Sequence, residues 1–237
     1  MKSFFVPLSY TRLPVVLILL IGLLLPLQAS QAAPGIQTTA YLEDFEDGQA
    51  QDWELEPGWQ VIQEEGNYLL AGEGHTWARS AKLYDDYRLS FRLKVLKGSI
   101  HLVYRLNDTG RYFINFHSSG SNLNKQHWPD TFFDNLADSN IPHSLNAWHQ
   151  VEISGRGETL EFLVDGKSEW TFTDPQPLLV GRFAFETSDD AQAYVDDIQV
   201  SLETTSAFIG DESVSSLSWT RTGGPLGGLG YDMGASL

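Results

Sequence analysis

Short runs in which apolar and polar residues alternate constrain the fold of this chain more than any other feature. From Tyr87 to Val95 every second residue is a large apolar one, and Arg, Ser or Lys stands between. Alternation with a period of two places all the apolar side chains on one face of a strand. The pattern returns in 100–106 and 112–116, on either side of an Asn107–Gly110 turn. These three runs predict neighbouring antiparallel strands.

Apart from the segment 118–147, the remainder of residues 41–202 repeats this arrangement. Asp165-Gly166 separates two more alternating runs and is a strong hairpin signal, and the runs 181–186 and 193–202 end the pattern. No segment has the periodicity of an amphipathic helix. We expect ten to twelve strands, and two sheets must pack together so that each buries one face. The predicted fold class is therefore all-β, a two-sheet antiparallel β-sandwich.

The segment 118–147 shows little strand pattern. Loops of more than about 15 residues without secondary structure are uncommon unless they are functional. We therefore predict an insertion that lies over one sheet face.

The first 32 residues are typical of a secretory signal peptide. Lys2 and Arg12 precede an apolar run over 13–27, and the run is followed by Ser30-Gln31-Ala32, which fits the small-x-small pattern of a signal-peptidase cleavage site. The run is shorter than the roughly 20 residues of a spanning helix, so we expect export, cleavage after Ala32 and no stable membrane insertion afterwards. Cleavage after residue 33 and an uncleaved anchor are the alternatives.

Cysteine content and charge exclude several classes of protein. The chain has no cysteine, which excludes a disulfide framework, a lipobox anchor and thiolate zinc sites. Loss of residues 1–32 removes two basic and no acidic residues, so the formal net charge falls from −16 to −18. Such a surface repels phosphates and anionic lipids, which argues against nucleic acid as a partner and is compatible with neutral glycans and divalent cations. Solubility of a secreted protein explains the charge equally well.

Four stretches carry a resemblance to a known fold family: Asp44–Gly48 followed by Trp53, Tyr104–Asp108, Trp148–Ile153 leading to Val164–Gly166, and Tyr194–Ile198. In this order they resemble the concanavalin A-like, laminin G-like jelly-roll domains of secreted bacterial proteins, including the domain called a 3-keto-disaccharide hydrolase domain. The resemblance covers about residues 41–203 and implies a jelly roll there. It leaves the function open, because this sandwich hosts lectins, glycosidases and adhesion modules.

Residues 204–237 differ in composition and are rich in Ser, Thr and Gly. They are typical of a flexible linker or tail. Trp219–Asp232 is also similar to the segment that opens a β-propeller in some large exported proteins. On that interpretation 204–237 is the truncated start of a propeller.

Two acidic clusters flank the predicted domain: Asp44, Glu46 and Asp47 at its start, and Asp196 and Asp197 at its end. The first and last strands of a jelly roll are commonly neighbours, and carboxylates brought together repel unless a cation lies between them. Oxygen ligands of this kind favour calcium. The resemblance implies a structural Ca²⁺ at Glu46 and Asp196 most directly, with Asp44 and Asp197 nearby. Solvated turn residues are the alternative.

A candidate ligand site lies on the polar face of the middle strands. Planar polar groups beside an aromatic ring suit a sugar, because hydroxyls pair with the polar groups and the ring stacks on the apolar sugar face. The candidates are His101, Arg105, Phe113, Asn115 and His117, with Trp77, Arg79 and, on the insertion, Trp128. A plain solvated sheet face is the alternative.

Catalytic motifs are lacking. The Glu-x-Asp-x-x-Glu string of laminarinase-type glycosidases does not occur, and neither do Gly-x-Ser-x-Gly or His-Glu-x-x-His. We therefore expect a secreted, monomeric, lectin-like or adhesion module that binds a glycan or cell-surface polysaccharide on the concave sheet face. A glycoside hydrolase of the 3-keto-disaccharide hydrolase type and a non-binding spacer of a larger propeller protein remain alternatives.

Overall fold

The structure is a computed structural model that describes residues 37–203, so the predicted signal peptide and tail lie outside the described residues. This part of the chain is all-β, and none of it forms a helix with the length and hydropathy of a membrane span. The strands are β1 Gln37–Glu43, β2 Trp53–Leu55, β3 Trp59–Glu64, β4 Asn67–Glu73, β5 Thr76–Ser80, β6 Tyr87–Lys97, β7 Ile100–Asn107, β8 Gly110–His117, β9 Gly120–His127, β10 Phe133–Ser139, β11 His149–Arg156, β12 Thr159–Val164, β13 Lys167–Thr173, β14 Arg182–Thr187 and β15 Gln192–Glu203.

The strands form two antiparallel sheets. One sheet has eight strands in the order β13-β12-β11-β6-β15-β4-β3, with β1 paired to the second half of β15. The other has seven strands in the order β10-β9-β8-β7-β14-β5-β2. The sandwich confirms the predicted fold class, and the pairing of β1 with β15 confirms that the first and last strands are neighbours.

The core lies between the two sheets and follows the alternation seen in the sequence. All of Tyr87, Leu89, Phe91, Leu93 and Val95 on β6 are buried. Each such side chain contributes roughly 1.5–3 kcal/mol when it is fully removed from water. Aromatic side chains from the first third of the chain pack against those of β14 in the centre of the core. Trp53, for example, stacks on Phe185 with 5.8 Å between ring centroids, and it donates its indole N–H to Tyr41 at 3.0 Å.

The expected insertion at 118–147 was wrong. This segment contains β9 and β10, which extend the seven-stranded sheet at one edge instead of covering its face. Strand β9 was not predicted because one of its core-facing positions holds a lysine. This residue, Lys125, is buried, and its ammonium group donates to Asp174 at 2.7 Å. A charged residue in the core positions of a strand breaks the apolar alternation on which the prediction depended. More strands are therefore present within residues 37–203 than the ten to twelve expected.

The expected outward orientation of Arg105 was also wrong. Its backbone has a left-handed φ of 51°, and the register with β8 shifts between Tyr104 and Asn107. An extra residue in one strand moves the following side chains to the opposite face. Arg105 therefore points inward beside Tyr104 and is 0% exposed, while Leu106 moves to the outer face.

Candidate functional site

The outer face of the seven-stranded sheet carries a row of aligned side chains. Strand register places Trp77 of β5 beside Glu186 of β14, Glu186 beside His101 of β7, and His101 beside Asn115 of β8. A second row next to it is apolar, with Val103, Phe113 and Ala184 buried in a small cluster of their own. This apolar patch forms the base on which the polar row and a neighbouring arginine lie.

Glu186 is the centre of the polar row. His101 Nδ1 donates to its Oε2 at 2.7 Å, Arg111 Nη1 donates to the same oxygen at 2.6 Å, and His75 Nε2 lies 3.4 Å from Oε1. Burial alone raises the pKa of Glu186, but the hydrogen bond from His101 and the charge of Arg111 outweigh it and lower the pKa to about 2. The carboxylate therefore stays ionised over the whole physiological pH range.

Arg111 is buried by aromatic rings and is fixed in position. Its guanidinium carbon lies 4.6 Å from the ring centroid of Phe113, 4.7 Å from that of Trp77 and 5.8 Å from that of Trp128. Its Nε donates to Gln126 Oε1 at 2.9 Å, and its Nη1 is bound to the carboxylate described above. Contacts of this kind with ring faces are favourable because the negative face of the ring attracts the cation. The rings and the carboxylate together preorganise the guanidinium.

Exposed aromatic rings border this arrangement on the side of β9 and β10. Trp128 is 39% exposed and its indole N–H donates to the Asn107 carbonyl at 3.0 Å, which fixes the ring against the β7–β8 turn. Phe133 is 55% exposed and meets Phe113 edge to face at 5.2 Å. Large apolar rings left open to water in this way are typical of contact surfaces. We call the set Trp77, Arg79, His101, Arg111, Trp128 and Glu186 the outer-face cluster.

The structure brings most of the residues predicted from the sequence to this face. Trp77 and Arg79 lie on β5, and His101, Phe113 and Asn115 lie on β7 and β8, with β14 between the two groups. Arg79 donates to Glu56 at 2.7 Å, and its guanidinium lies 4.6 Å from the Trp77 ring centroid.

The remaining two strand residues of the predicted site lie away from the cluster. His117, at the end of β8, hydrogen-bonds Ser119 at 2.9 Å. Arg105 lies in the interior, where Nη1 donates to the carbonyls of Gly157 and Leu178 and Nη2 to Asp86. It therefore ties together loops of both sheets and has no place on the ligand-facing surface.

Sequence reasoning missed the two charged residues at the centre, Arg111 and Glu186. Arg111 precedes the apolar run of β8 and continues its outward alternation with Phe113. On β14, Glu186 falls at every-second-residue spacing with Ala184 and Arg182, which is the spacing of one strand face. The alternation therefore could have placed Arg111 and Glu186 on outward positions of their strands. It could not have shown that β14 pairs with β7.

The acidic residues proposed for calcium lie near the β3–β4 turn and bind protein donors. Glu46 accepts the Tyr68 backbone N–H at 3.0 Å and hydrogen-bonds through its own N–H to Asp44, and Asp196 accepts the Asn67 amide at 2.9 Å. Burial raises the pKa of Asp196.

A cation of the protein already balances part of this charge. Arg92 lies 3.7 Å from Asp196 and 3.0 Å from Asp197. Within residues 37–203 no group of three His, Asp or Glu side chains is arranged around a common point. The calcium site stays a prediction, and a thermal melt in excess chelator tests it, because a site that contributes to folding must lower the Tm when emptied.

Solved structures with the same architecture include proteins that act on or bind carbohydrates. A protein of unknown function with a galectin-like fold from Bacillus subtilis is 13% identical with a TM-score of 0.59, over 70% of this chain and 98% of that chain. The carbohydrate binding module CBM66 from Bacillus subtilis is 14% identical with a TM-score of 0.53, over 65% and 96%. The laminarinase catalytic domain from Thermotoga maritima is 11% identical with a TM-score of 0.55, over 71% and 99%.

No family model and no curated protein matches the sequence. The structural likenesses establish the fold, which is the concanavalin A-like jelly roll that the sequence resemblance implied. At these identities they do not transfer a function, which has to be argued from the site itself.

Proposed function

We propose that this domain is an exported carbohydrate-binding module that holds an uncharged glycan on the outer-face cluster. The observation that carries the proposal is the contact of a fixed guanidinium, Arg111, with a half-exposed indole, Trp128, at 5.8 Å. An aromatic ring stacks on the apolar face of a pyranose, and a planar donor beside it pairs with the ring hydroxyls. The structural neighbours named as a carbohydrate binding module and a laminarinase support the same class of ligand.

Several polar groups are available for hydroxyls of the ligand. His101 engages Glu186 through Nδ1, and no residue within 37–203 hydrogen-bonds its Nε2, which we assign to the ligand. Asn115 Oδ1, on the neighbouring strand, is buried and accepts no hydrogen bond from the described residues. This oxygen is closed to water in the present side-chain position, so a hydroxyl reaches it only if the Asn115 amide turns outward; the new donor would then satisfy an acceptor whose lack of a partner costs about 1–3 kcal/mol. The proposed contacts are Trp77, Arg79, His101, Asn115 and Trp128, with Phe113 beneath them. His117 lies away from this cluster at the far end of β8, so only a glycan that extends along β8 reaches it.

The charges of this face favour an uncharged ligand. Each outward arginine has a carboxylate partner: Arg111 binds Glu186 at 2.6 Å, and Arg79 binds Glu56 at 2.7 Å. An anionic sugar would have to displace one of these carboxylates and approach a chain whose formal net charge is −16. Neutral hydroxyls add to the existing arrangement without this repulsion.

Binding is favoured over hydrolysis by the state of the central carboxylate. A glycosidase needs a carboxylic acid with a raised pKa that protonates the leaving oxygen. Glu186 has the opposite property, because its pKa is lowered to about 2 and its Oε2 already accepts two hydrogen bonds. It holds Arg111 and His101 in place, which suits a rigid recognition site.

Affinity electrophoresis in gels that contain uncharged polysaccharides such as laminarin, levan and xylan tests the proposal. Trp128→Ala is expected to weaken binding about 30-fold, since central aromatic contacts contribute about 2 kcal/mol or more. Trp148→Ala is the matched control, because this tryptophan packs on Arg92 of the eight-stranded sheet at 4.4 Å, and the change is expected to leave binding at the outer-face cluster unchanged.

The outcomes separate binding from the alternatives. Retention of the parent chain by one polysaccharide, lost in Trp128→Ala and kept in Trp148→Ala, supports the proposal. Retention by none of them, or equal retention by both variants, contradicts it. Release of reducing sugar from a retained polysaccharide would instead indicate hydrolysis.

A further inference from the structure

The outer face of the eight-stranded sheet contains a groove of its own, on the opposite side of the sandwich from the outer-face cluster. Its volume is about 540 Å³, and it is lined by Gln60, Ile62, Ala71, Leu96, Gln192 and Tyr194 together with neighbouring residues of the same strands. Sites for small ligands commonly measure about 300–1,000 Å³. We call it the second-sheet groove.

The register of the strands explains why a hollow forms at this point. Gln60 of β3 and Tyr194 of β15 are both paired with Ala71 of β4, so a methyl group stands between an amide and a phenol. The long side chains form walls about two strand spacings apart, which is roughly 10 Å. The small residue between them forms the base of the groove.

Tyr194 is held in position as one wall of the groove. The ammonium group of Lys94 lies 5.4 Å from its ring centroid, and the same ammonium lies 3.4 Å from Glu64. Tyr194 pairs with Lys94 of β6 on one side and with Ala71 of β4 on the other. The Lys94 side chain therefore reaches from β6 across β15 towards Glu64 of β3 and packs against the Tyr194 ring, and a sugar can stack on the ring beside it.

The polar groups of the groove match hydroxyls. Gln192 Nε2 donates to Glu73 Oε1 at 2.9 Å, which leaves the Gln192 carbonyl oxygen as an acceptor. Gln60 is exposed and offers both a donor and an acceptor. Among the described residues that line the groove, the charged one is Glu73, which is negative, and the nearby ammonium group of Lys94 is paired with Glu64. An anionic ligand would be repelled, whereas a neutral polyol pairs with both amides and the carboxylate.

We propose that the second-sheet groove is a second, independent binding site for one unit of an uncharged sugar, with Tyr194 as the stacking ring and Gln60 and Gln192 as hydroxyl partners. It does not depend on the outer-face cluster. A domain with one site on each sheet contacts two glycan chains, or two parts of one chain, and gains avidity from the linkage.

NMR on the isotopically labelled full chain tests this site with methyl β-D-glucopyranoside as the probe. At about 50 mM the probe occupies any site with a low-millimolar Kd. The backbone amides of Ala71 and Tyr194 are expected to shift and to saturate. Ala71→Leu fills the groove and Tyr194→Ala removes the ring, so either change is expected to reduce the shifts at least about fivefold, whereas Tyr194→Phe retains them. Sodium glucuronate, the charged counterpart, is expected to leave these amides unshifted.

The same spectra report the outer-face cluster through the amides of Phe113 and Asn115, so the two sites succeed or fail separately. Trp128→Ala is expected to remove shifts there and to leave those at Ala71 unchanged. The second site is overturned by an absence of saturating shifts at Ala71 and Tyr194, by shifts that persist in Ala71→Leu, or by shifts that disappear with Trp128→Ala.

Discussion

Replacement of Arg105 by alanine is expected to destabilise the fold without removing the ligand site. The guanidinium is completely buried, and it donates to the Gly157 carbonyl at 2.7 Å, the Leu178 carbonyl at 2.9 Å and Asp86 Oδ1 at 3.0 Å. These acceptors belong to three separate loops. Alanine leaves all of them without this donor and leaves a cavity where the side chain was.

The magnitude follows from these contacts. A typical buried hydrogen bond contributes about 1 kcal/mol, and one to a charged group about 1.5–3 kcal/mol. Asp86 is 39% exposed on its side chain, so water compensates part of its loss. The cavity adds a cost of the kind seen for large-to-small core changes. We expect the free energy of unfolding to fall by about 3–5 kcal/mol in total, which for a domain of this size lowers the Tm by about 10 °C.

Thermal unfolding followed by circular dichroism measures the effect, and Arg182→Ala provides the matched control. Arg182 is the first residue of β14 in the seven-stranded sheet, and its ion pair with Glu54 at 3.1 Å is partly exposed, because the Glu54 side chain is 61% exposed. Such a pair contributes about 0–1 kcal/mol, so the control is expected to melt almost as the parent does.

A result opposite to this one would refute the buried position of Arg105. If Arg105→Ala melted with the parent chain but lost polysaccharide retention, the side chain would have to lie on the ligand-facing surface. Retention at low temperature together with a lowered Tm supports the interior position.

Three further changes test separate parts of the structure. Burial alone would lower the His143 pKa, but the hydrogen bonds to Glu169 and to a backbone carbonyl outweigh it and raise the pKa. The stability that His143 contributes is therefore complete below about pH 6.5 and is lost as the pH rises through the folded-state pKa. Denaturant unfolding at pH 6 and pH 8.5 should show a smaller difference in the free energy of unfolding between the two pH values in His143→Gln than in the parent. Glu186→Gln leaves the buried Arg111 cation without its charge partner and is expected to cost about 3 kcal/mol by the same measurement, and an unchanged midpoint would disprove the ion pair. Gly181→Ala places a Cβ 2.3 Å from the backbone of β7, so poor expression or a lower Tm is expected, and a parent-like melt would contradict this close approach.

The predictions from sequence were most accurate where a strand has one apolar and one polar face. β6, β8 and β7 as far as Tyr104 follow the alternation, and Asn107 makes the turn by accepting the backbone N–H groups of Thr109 and Gly110. They were wrong at β9, because Lys125 occupies a core-facing position and is neutralised by Asp174, a residue far away along the chain. A local pattern cannot show a partner that only folding brings near.

The sequence by itself determined the class of the fold, since alternating runs and Asn-Asp or Asp-Gly turns are local signals. It also placed Trp77, His101, Phe113 and Asn115 on outward strand positions, because the parity of a residue, that is, which of the two strand faces it lies on, follows from its position in the local alternation. The tertiary structure decided which strands are neighbours, and so brought Arg111 to Glu186 and Ala71 between Gln60 and Tyr194. It also decided that Arg105 lies inside, because one left-handed residue in β7 reverses the parity that the sequence alone implied.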